Sequence, residues 1–261
     1  MPKKQKIIDR LLDMKLVLTA DEALAHVLSG NVVSDKQRFS SLYDIVEANE
    51  VVRLKSQKKR FVSRGGEKLA SVFDQFGFTL DHCVGLDAGA STGGFTDFCL
   101  QKGAETMIAV DVSYGILAHS LRTDPRVIPL ERTNARTLTL ERLNALLINA
   151  NKQTPSKIEG PVDFVVGDLS FIAIRHVLPA LLSVLKRGGW MILLIKPQFE
   201  ATPNQIPAGG VITDKALQHQ IVASVEASST HLPIRTLSII PSGLTGREGN
   251  QEYFWGFVKQ L

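Results

Sequence analysis

Cysteine is nearly absent from this 261-residue chain, with only Cys83 and Cys99 present. Two widely spaced thiols cannot build a disulfide framework or a zinc site. His26, His82, His119, His176, His219 and His231 show no ligand spacing either, so no metal is expected. Long apolar runs are missing as well. The stretches 177–185 and 190–195 fall far short of the ~18 residues that cross a bilayer, which leaves no membrane role to expect. The basic start Met1-Pro2-Lys3-Lys4-Gln5-Lys6 leads to Asp9 and Arg10 rather than to an apolar signal core. A cytoplasmic protein is the expectation. What is present is 44% hydrophobic residues, enough for a real core, and a length that accommodates two domains.

Charge divides the chain. Residues 1–60 hold 12 Lys and Arg against 8 Asp and Glu, which accounts for the whole formal net charge of +4. A basic module joined to a neutral body suits one part that binds a polyanion and another that does chemistry. In the first part, apolar residues at helical spacing over 6–17 and 20–28 predict two short helices, and Val32-Val33, Tyr43–Val46 and Val51–Leu54 read as short strands. Residues 55–60, Lys-Ser-Gln-Lys-Lys-Arg, read as a charged linker. From residue 61 strands and helices alternate, the pattern of a mostly parallel sheet covered on both faces. Seven strands are expected near 83–87, 107–112, 127–131, 163–168, 190–195, 234–241 and 252–258. The last two form an antiparallel pair.

The segment 84–115 carries the strongest local signal. Val84-Gly85-Leu86 ends at Asp87, the turn Gly89-Ala90-Ser91-Thr92-Gly93-Gly94 follows, and a second strand closes on Asp111 and Val112. Small residues let the backbone approach a ligand, and an acid about 20 residues beyond such a turn can accept ribose hydroxyls. The G-x-G-x-x-G spacing of a dinucleotide site is absent, and a carboxylate at Asp87 would repel phosphates while suiting an amino group. The combination favours S-adenosylmethionine as cofactor.

Four charges sit beside apolar or glycine-rich segments where a charge is costly: Lys68 at a helix start, Asp168 and Lys196 at strand ends, and Glu252 opening the final strand. Such charges need partners, and two lysines with two carboxylates can neutralise one another. A ribose hydroxyl is a weak acid whose attack on a methyl group needs a base, and a neutral lysine can serve. The loop 209–214, Gly-Gly-Val-Ile-Thr-Asp, reads equally well as a lid or as a helix cap.

Taken together, Arg60–Leu69, Leu86–Thr96, Asp124–Val127, Glu131–Arg136, Asp168–Ile172 and Lys196–Glu200 resemble the TlyA family, S4-linked ribosomal RNA 2′-O-methyltransferases related to the FtsJ group and often labelled haemolysin A. The helix, helix, strand order of the first part resembles the S4 RNA-binding fold, with Thr19-Ala20 where many members have Ser-Arg. The resemblance implies a class I (Rossmann-like) α/β methyltransferase domain at 61–261 behind an S4-like α+β domain at 1–60. It implies a Lys68-Asp168-Lys196-Glu252 tetrad. It also implies a cofactor site from Asp87, the turn 89–94, Asp111, Val112 and Asn134, and a cytidine ribose of ribosomal RNA or a ribosomal subunit as acceptor. Lys3, Lys4, Arg10, Lys58, Lys59, Arg60 and Arg64 are the candidate RNA contacts. Phe61 stands where a Trp is common in the family. The chain stops soon after the last strand, without the extra helix of the longer subfamily, which favours 23S over 16S rRNA; a monomer is expected. An idle RNA-binding assembly factor and a membrane-active haemolysin are the alternatives.

Overall fold

The computed structural model describes residues 4–55, 60–150 and 160–260. The chain divides into two compact units, Met1–Lys59 and Arg60–Leu261. The first contains β1 (Lys4–Lys6), α1 (Ile7–Asp13), α2 (Ala20–Leu28), β2 (Val32–Ser34), β3 (Ile45–Glu47) and β4 (Val52–Leu54). β1 pairs with β3 and β2 with β4, both antiparallel. Ile7, Leu11, Val17, Ala23, Val27, Val32, Phe39, Val46 and Val52 form its core. Two differences from the sequence reading have local causes. α1 is shorter than its apolar spacing because Lys15 adopts φ +54° and the Leu16 N–H folds back onto the Leu11 carbonyl. β1 carries no apolar signal, since it is Lys-Gln-Lys. Most of the predicted charged linker lies outside the described residues.

The second unit runs α3 (Arg64–Ala70), β5 (Val84–Ala88), α4 (Gly94–Gln101), β6 (Thr106–Val110), α5 (His119–Arg122), β7 (Val127–Leu130), α6 (Leu140–Ala150), β8 (Val162–Gly167), α7 (Leu178–Val184), β9 (Leu185–Ile195), α8 (Pro197–Glu200), α9 (Lys215–Ala227), β10 (Ile234–Pro241) and β11 (Tyr253–Lys259). Its seven strands form one sheet in the order β10-β11-β9-β8-β5-β6-β7. The strands from β9 to β7 are parallel, and β11 runs against both of its neighbours. The expected hairpin is present, but its second strand is threaded between the first and β9.

Side chains alternate across this sheet with the two-residue period of a strand. Met191, Leu193 and Ile195 of β9 join Leu86 and Ala88 in a core that also takes Leu143 and Leu147 of α6 and Leu181 of α7. Trp190, Ile192 and Leu194 face the opposite way, with Phe98 of α4, Leu69 of α3 and Phe164. Because both faces are covered, strands read as continuous apolar runs, and a charge survives only at a strand end. Gly85 marks how closely the second face is packed, since a Cβ there would overlap the Phe164 ring. Gly85→Ala is therefore expected to lower unfolding stability by about 1–3 kcal/mol in urea titration, the usual cost of overpacking a closed core. A change below about 0.5 kcal/mol would mean that the ring has room to move.

Candidate active site

The carboxyl end of β5 opens into the glycine turn. Asp87 is 1% exposed, and its Oδ2 accepts from the Thr96 N–H at 3.0 Å and the Thr96 hydroxyl at 2.7 Å. Its Oδ1 is buried with no hydrogen-bond partner. Burial pushes the carboxyl up to about 7, the Thr96 hydrogen bonds oppose this, and the charges of Asp168 and Asp111 add to it. A buried acceptor without a partner beside a glycine-rich turn fits a cationic donor such as the amino group of S-adenosylmethionine. Gly93 holds φ +94° directly before α4, and a Cβ there would strike Leu121 and Leu117. The turn's own N–H groups are largely committed: Gly89 and Ala90 donate to the Val110 carbonyl, Ser91 to Asp111, and Gly93 to the Ala90 carbonyl. Close approach, rather than a nest of free donors, is thus what the small residues supply.

Asp111 lies just past β6. One carboxylate oxygen accepts from Ser91 N–H at 2.8 Å and the other from Ser113 N–H at 2.7 Å, which leaves lone pairs on both for hydroxyl donors. Val112 is exposed beside it. Asn134 is exposed and uses its side-chain oxygen to cap the turn at Ala135–Thr137 through Arg136 N–H.

The second half of the site is a row of charges. Asp168 follows β8 by one residue, Lys196 follows β9, and Glu252 precedes β11. The β9–β11 register pairs Ile195 with Tyr253, so Lys196 and Glu252 leave adjacent strands at the same edge. Lys68 reaches Glu252 from the last turn of α3, not from the helix start, at 2.5 Å. Lys196 Nζ lies 2.7 Å from Asp168 Oδ1, but that oxygen receives no directed hydrogen bond; the ammonium donates instead to Ser170 Oγ at 2.8 Å. It also sits 5.7 Å from the centre of the Phe199 ring. The two halves touch. Asp168 N–H donates to the Ala88 carbonyl at 3.1 Å, and a Cβ on Gly89 would meet the Asp168 carbonyl.

Several other residues have clear placements. Arg10 is turned onto its own unit, where it donates to the Glu50 carbonyl at 3.1 Å. Lys4 and Arg60 are exposed, while Arg64 donates to the Thr245 carbonyl. Lys3, Lys58 and Lys59 lie outside the described residues. Loop 209–214 takes the capping role: Asp214 accepts from Ala216 and Leu217 at the start of α9, and Asn250 clips the loop by accepting from Ile212 and donating to Gly210. Sequence reasoning included Ser170 and Phe171 only as part of the stretch Asp168–Ile172 and gave neither a role; Phe171 is 90% exposed and holds φ +63° beside the charge row.

A parallel sheet with one reversed strand near its edge, and a glycine turn flanked by acids at two adjacent strand ends, define an S-adenosylmethionine-dependent methyltransferase. The chain belongs to the FtsJ-like methyltransferase family, whose model matches residues 61–259. Over 197 residues it is 43% identical to the 16S/23S rRNA (cytidine-2′-O)-methyltransferase TlyA of Mycobacterium tuberculosis, spanning 76% of this chain and 68% of that one. It is 25% identical over 269 residues to the 23S rRNA (cytidine-2′-O)-methyltransferase TlyA of Campylobacter jejuni, spanning 96% and 98% of the two chains. A solved structure from Streptococcus thermophilus, named as a hemolysin, is similar with a TM-score of 0.69 and 31% identity, covering 100% of this chain and 90% of its own. No described helix is long and apolar enough to cross a membrane.

An ammonium pairs only with the ionised form of Asp87, so cofactor affinity should weaken as the pH falls through about 7. Calorimetry is expected to show Kd rising about tenfold between about pH 8 and pH 6. The same burial weakens the ligand-free fold. A carboxyl raised from about 4 in the unfolded chain costs stability above that value, most fully above about 7, and regains it as the pH drops between the two. Asp87→Asn should therefore abolish cofactor binding while raising the Tm of the free protein by roughly 2–4 °C. Wild-type cofactor affinity in that variant would remove Asp87 from the site.

Proposed function

We propose that this chain is a ribosomal RNA (cytidine-2′-O)-methyltransferase acting through Lys68, Asp168, Lys196 and Glu252, with 23S rRNA the favoured substrate. The observation that carries this reading is the Lys196–Asp168 pair set directly against the cofactor turn through Ala88. A base within reach of a methyl donor suits a weakly acidic hydroxyl. The substrate named for the Mycobacterium tuberculosis and Campylobacter jejuni relatives supplies the acceptor's identity.

S-adenosylmethionine supplies a methyl group made electrophilic by its sulfonium. Lys196, in its neutral form, takes the proton of the 2′-hydroxyl as the oxygen attacks. Asp168 lies against Lys196 and stabilises the ammonium that forms, Ser170 Oγ accepts a directed hydrogen bond from Lys196, and the Lys68–Glu252 pair fixes the far side of the acceptor sugar. The exposed Phe171 ring, 5.2 Å from Phe199, offers a face for the acceptor's base, and stacking of this kind contributes about 1–3 kcal/mol per base. Asp87, Gly89, Ala90, Ser91, Thr92, Gly93, Gly94, Asp111, Val112 and Asn134 surround the cofactor. Residues 1–60 form an S4-like RNA-binding domain with its basic linker from 55, followed by the catalytic domain at 61–261. Lys4 and Arg60 keep surface positions suited to phosphate contact; Arg64 is exposed as well but, like Arg10, donates to a backbone carbonyl of its own unit.

The test is transfer of labelled methyl groups to isolated ribosomal subunits, with the modified nucleotide mapped afterwards. Label on a base, or on neither subunit, would overturn the reading. In the same assay Lys196→Ala should lose at least about 100-fold in kcat, the lower end of what a general base contributes. Its cofactor affinity should stay within about twofold of wild type, because Lys196 serves the acceptor. Near-normal turnover would mean that the base has been misassigned.

A further inference from the structure

Glu200 is a buried carboxylate that the mechanism above leaves unused. It is 8% exposed and ends α8, the short helix that starts directly after Lys196. Its Oε1 accepts from the Ile174 backbone N–H at 2.7 Å, and its Oε2 has no hydrogen-bond partner, with the exposed Arg175 guanidinium 3.7 Å away. The Lys196–Ser170 bond joins the same two segments. Positions 170 and 174 on one segment thus meet 196 and 200 on the other, and the Phe171–Phe199 ring contact lies between the two bonds.

The middle of this segment makes few backbone bonds of its own, although Leu169, Ile172 and Ile174 pack on the core. Among the described residues, no backbone N–H from Leu169 to Ala173 donates a hydrogen bond, and Phe171 keeps a left-handed backbone at φ +63°. Ser170 and Phe171 are both exposed. A strained, exposed loop of this kind keeps one conformation only when its surroundings enforce it.

We propose that Glu200 is a positioning residue for Lys196: its carboxylate fastens the loop 168–174 onto α8 and so holds Ser170 where its hydroxyl receives the Lys196 ammonium. The proposal deepens the methyl-transfer reading and rests on it. What the clamp requires is an acceptor oxygen at the Oε1 position, not a charge. Burial raises the Glu200 carboxyl, with the Ile174 N–H and Arg175 opposing that shift, so the protonated and ionised forms are closer in energy than in water. Either form can accept from Ile174.

The test compares Glu200→Ala, Glu200→Gln, Ser170→Ala and the Glu200→Ala/Ser170→Ala double variant in the subunit methylation assay. Cofactor affinity is measured by calorimetry in parallel. Glu200→Ala should lower kcat by roughly 10- to 100-fold, the scale of a misplaced catalytic group, with cofactor Kd within about twofold of wild type. Glu200→Gln, which keeps the acceptor, should return kcat to within about threefold of wild type and leave the acid limb of the pH–rate profile in place. The double variant should lose no more than the worse single one, because both substitutions remove the same constraint. Wild-type kcat in Glu200→Ala, no rescue by Gln, or additive losses would each overturn the clamp. A crystal structure of Glu200→Ala gives an arm independent of turnover. Ser170 Oγ still within hydrogen-bond distance of Lys196 Nζ would sink the proposal. If the wild-type protein methylated no ribosomal RNA, the functional reading would fail while this geometric arm still decided the clamp.

Discussion

The active edge of the sheet depends on the neutralisation of charges that have been taken out of water. Lys68 and Glu252 form a nearly dry pair, with side chains 11% and 3% exposed, and Lys196 is buried to a similar degree beside the more open Asp168. Removing one member of a buried pair typically costs 3–5 kcal/mol, because the partner is stranded, so each of these residues constrains the others before any substrate arrives. Placement at strand ends solves the problem without spoiling the core. The apolar runs of β8 and β9 continue to the last residue, and the charge begins one position later.

That constraint also explains why the site has two halves. In the proposed reading Asp87 serves the cofactor and keeps an oxygen without any partner, while on the acceptor side each carboxylate has a lysine beside it and the charges balance, although Asp168 Oδ1 receives no directed hydrogen bond. A half that lacks a partner suits a ligand that brings the missing charge. A half already balanced suits a neutral hydroxyl, which must be oriented and deprotonated rather than attracted. The Ala88–Asp168 contact keeps the halves in register because it joins β5 and β8 at the ends that carry them.

The sequence made most of this visible, and the remainder was hidden for physical reasons. The inner strands of the large sheet are apolar on both faces, so their runs stand out, although β9 begins at Leu185, ahead of the expected 190, and the edge strand β10 carries Arg235, Thr236 and Ser238. The charges were legible because an ionised group next to such a run needs an explanation. Ser170 and Glu200 were not, since their roles exist only once segments 26 residues apart are laid side by side. The committed N–H groups of the glycine turn were equally hidden. Sequence gives the small residues and leaves open which carbonyls their donors meet. In the first unit β1 escaped because a three-residue polar strand has no apolar period to read.

The threading of β11 bears on the order of events during synthesis. It is made after β9 and β10 yet lies between them, so β10 cannot join the sheet until β11 has been added, whereas β9 already has β8 to pair with. Glu252 arrives with that strand and brings Lys68 its partner. The glycine turn and its two acids, by contrast, come from β5 and β6, which pair with each other early in the chain. A growing polypeptide would thus own a methyl-donor pocket well before it owned a reaction centre. Such late closure of non-local pairing is slow, and it places the last act of folding at the point where chemistry becomes possible.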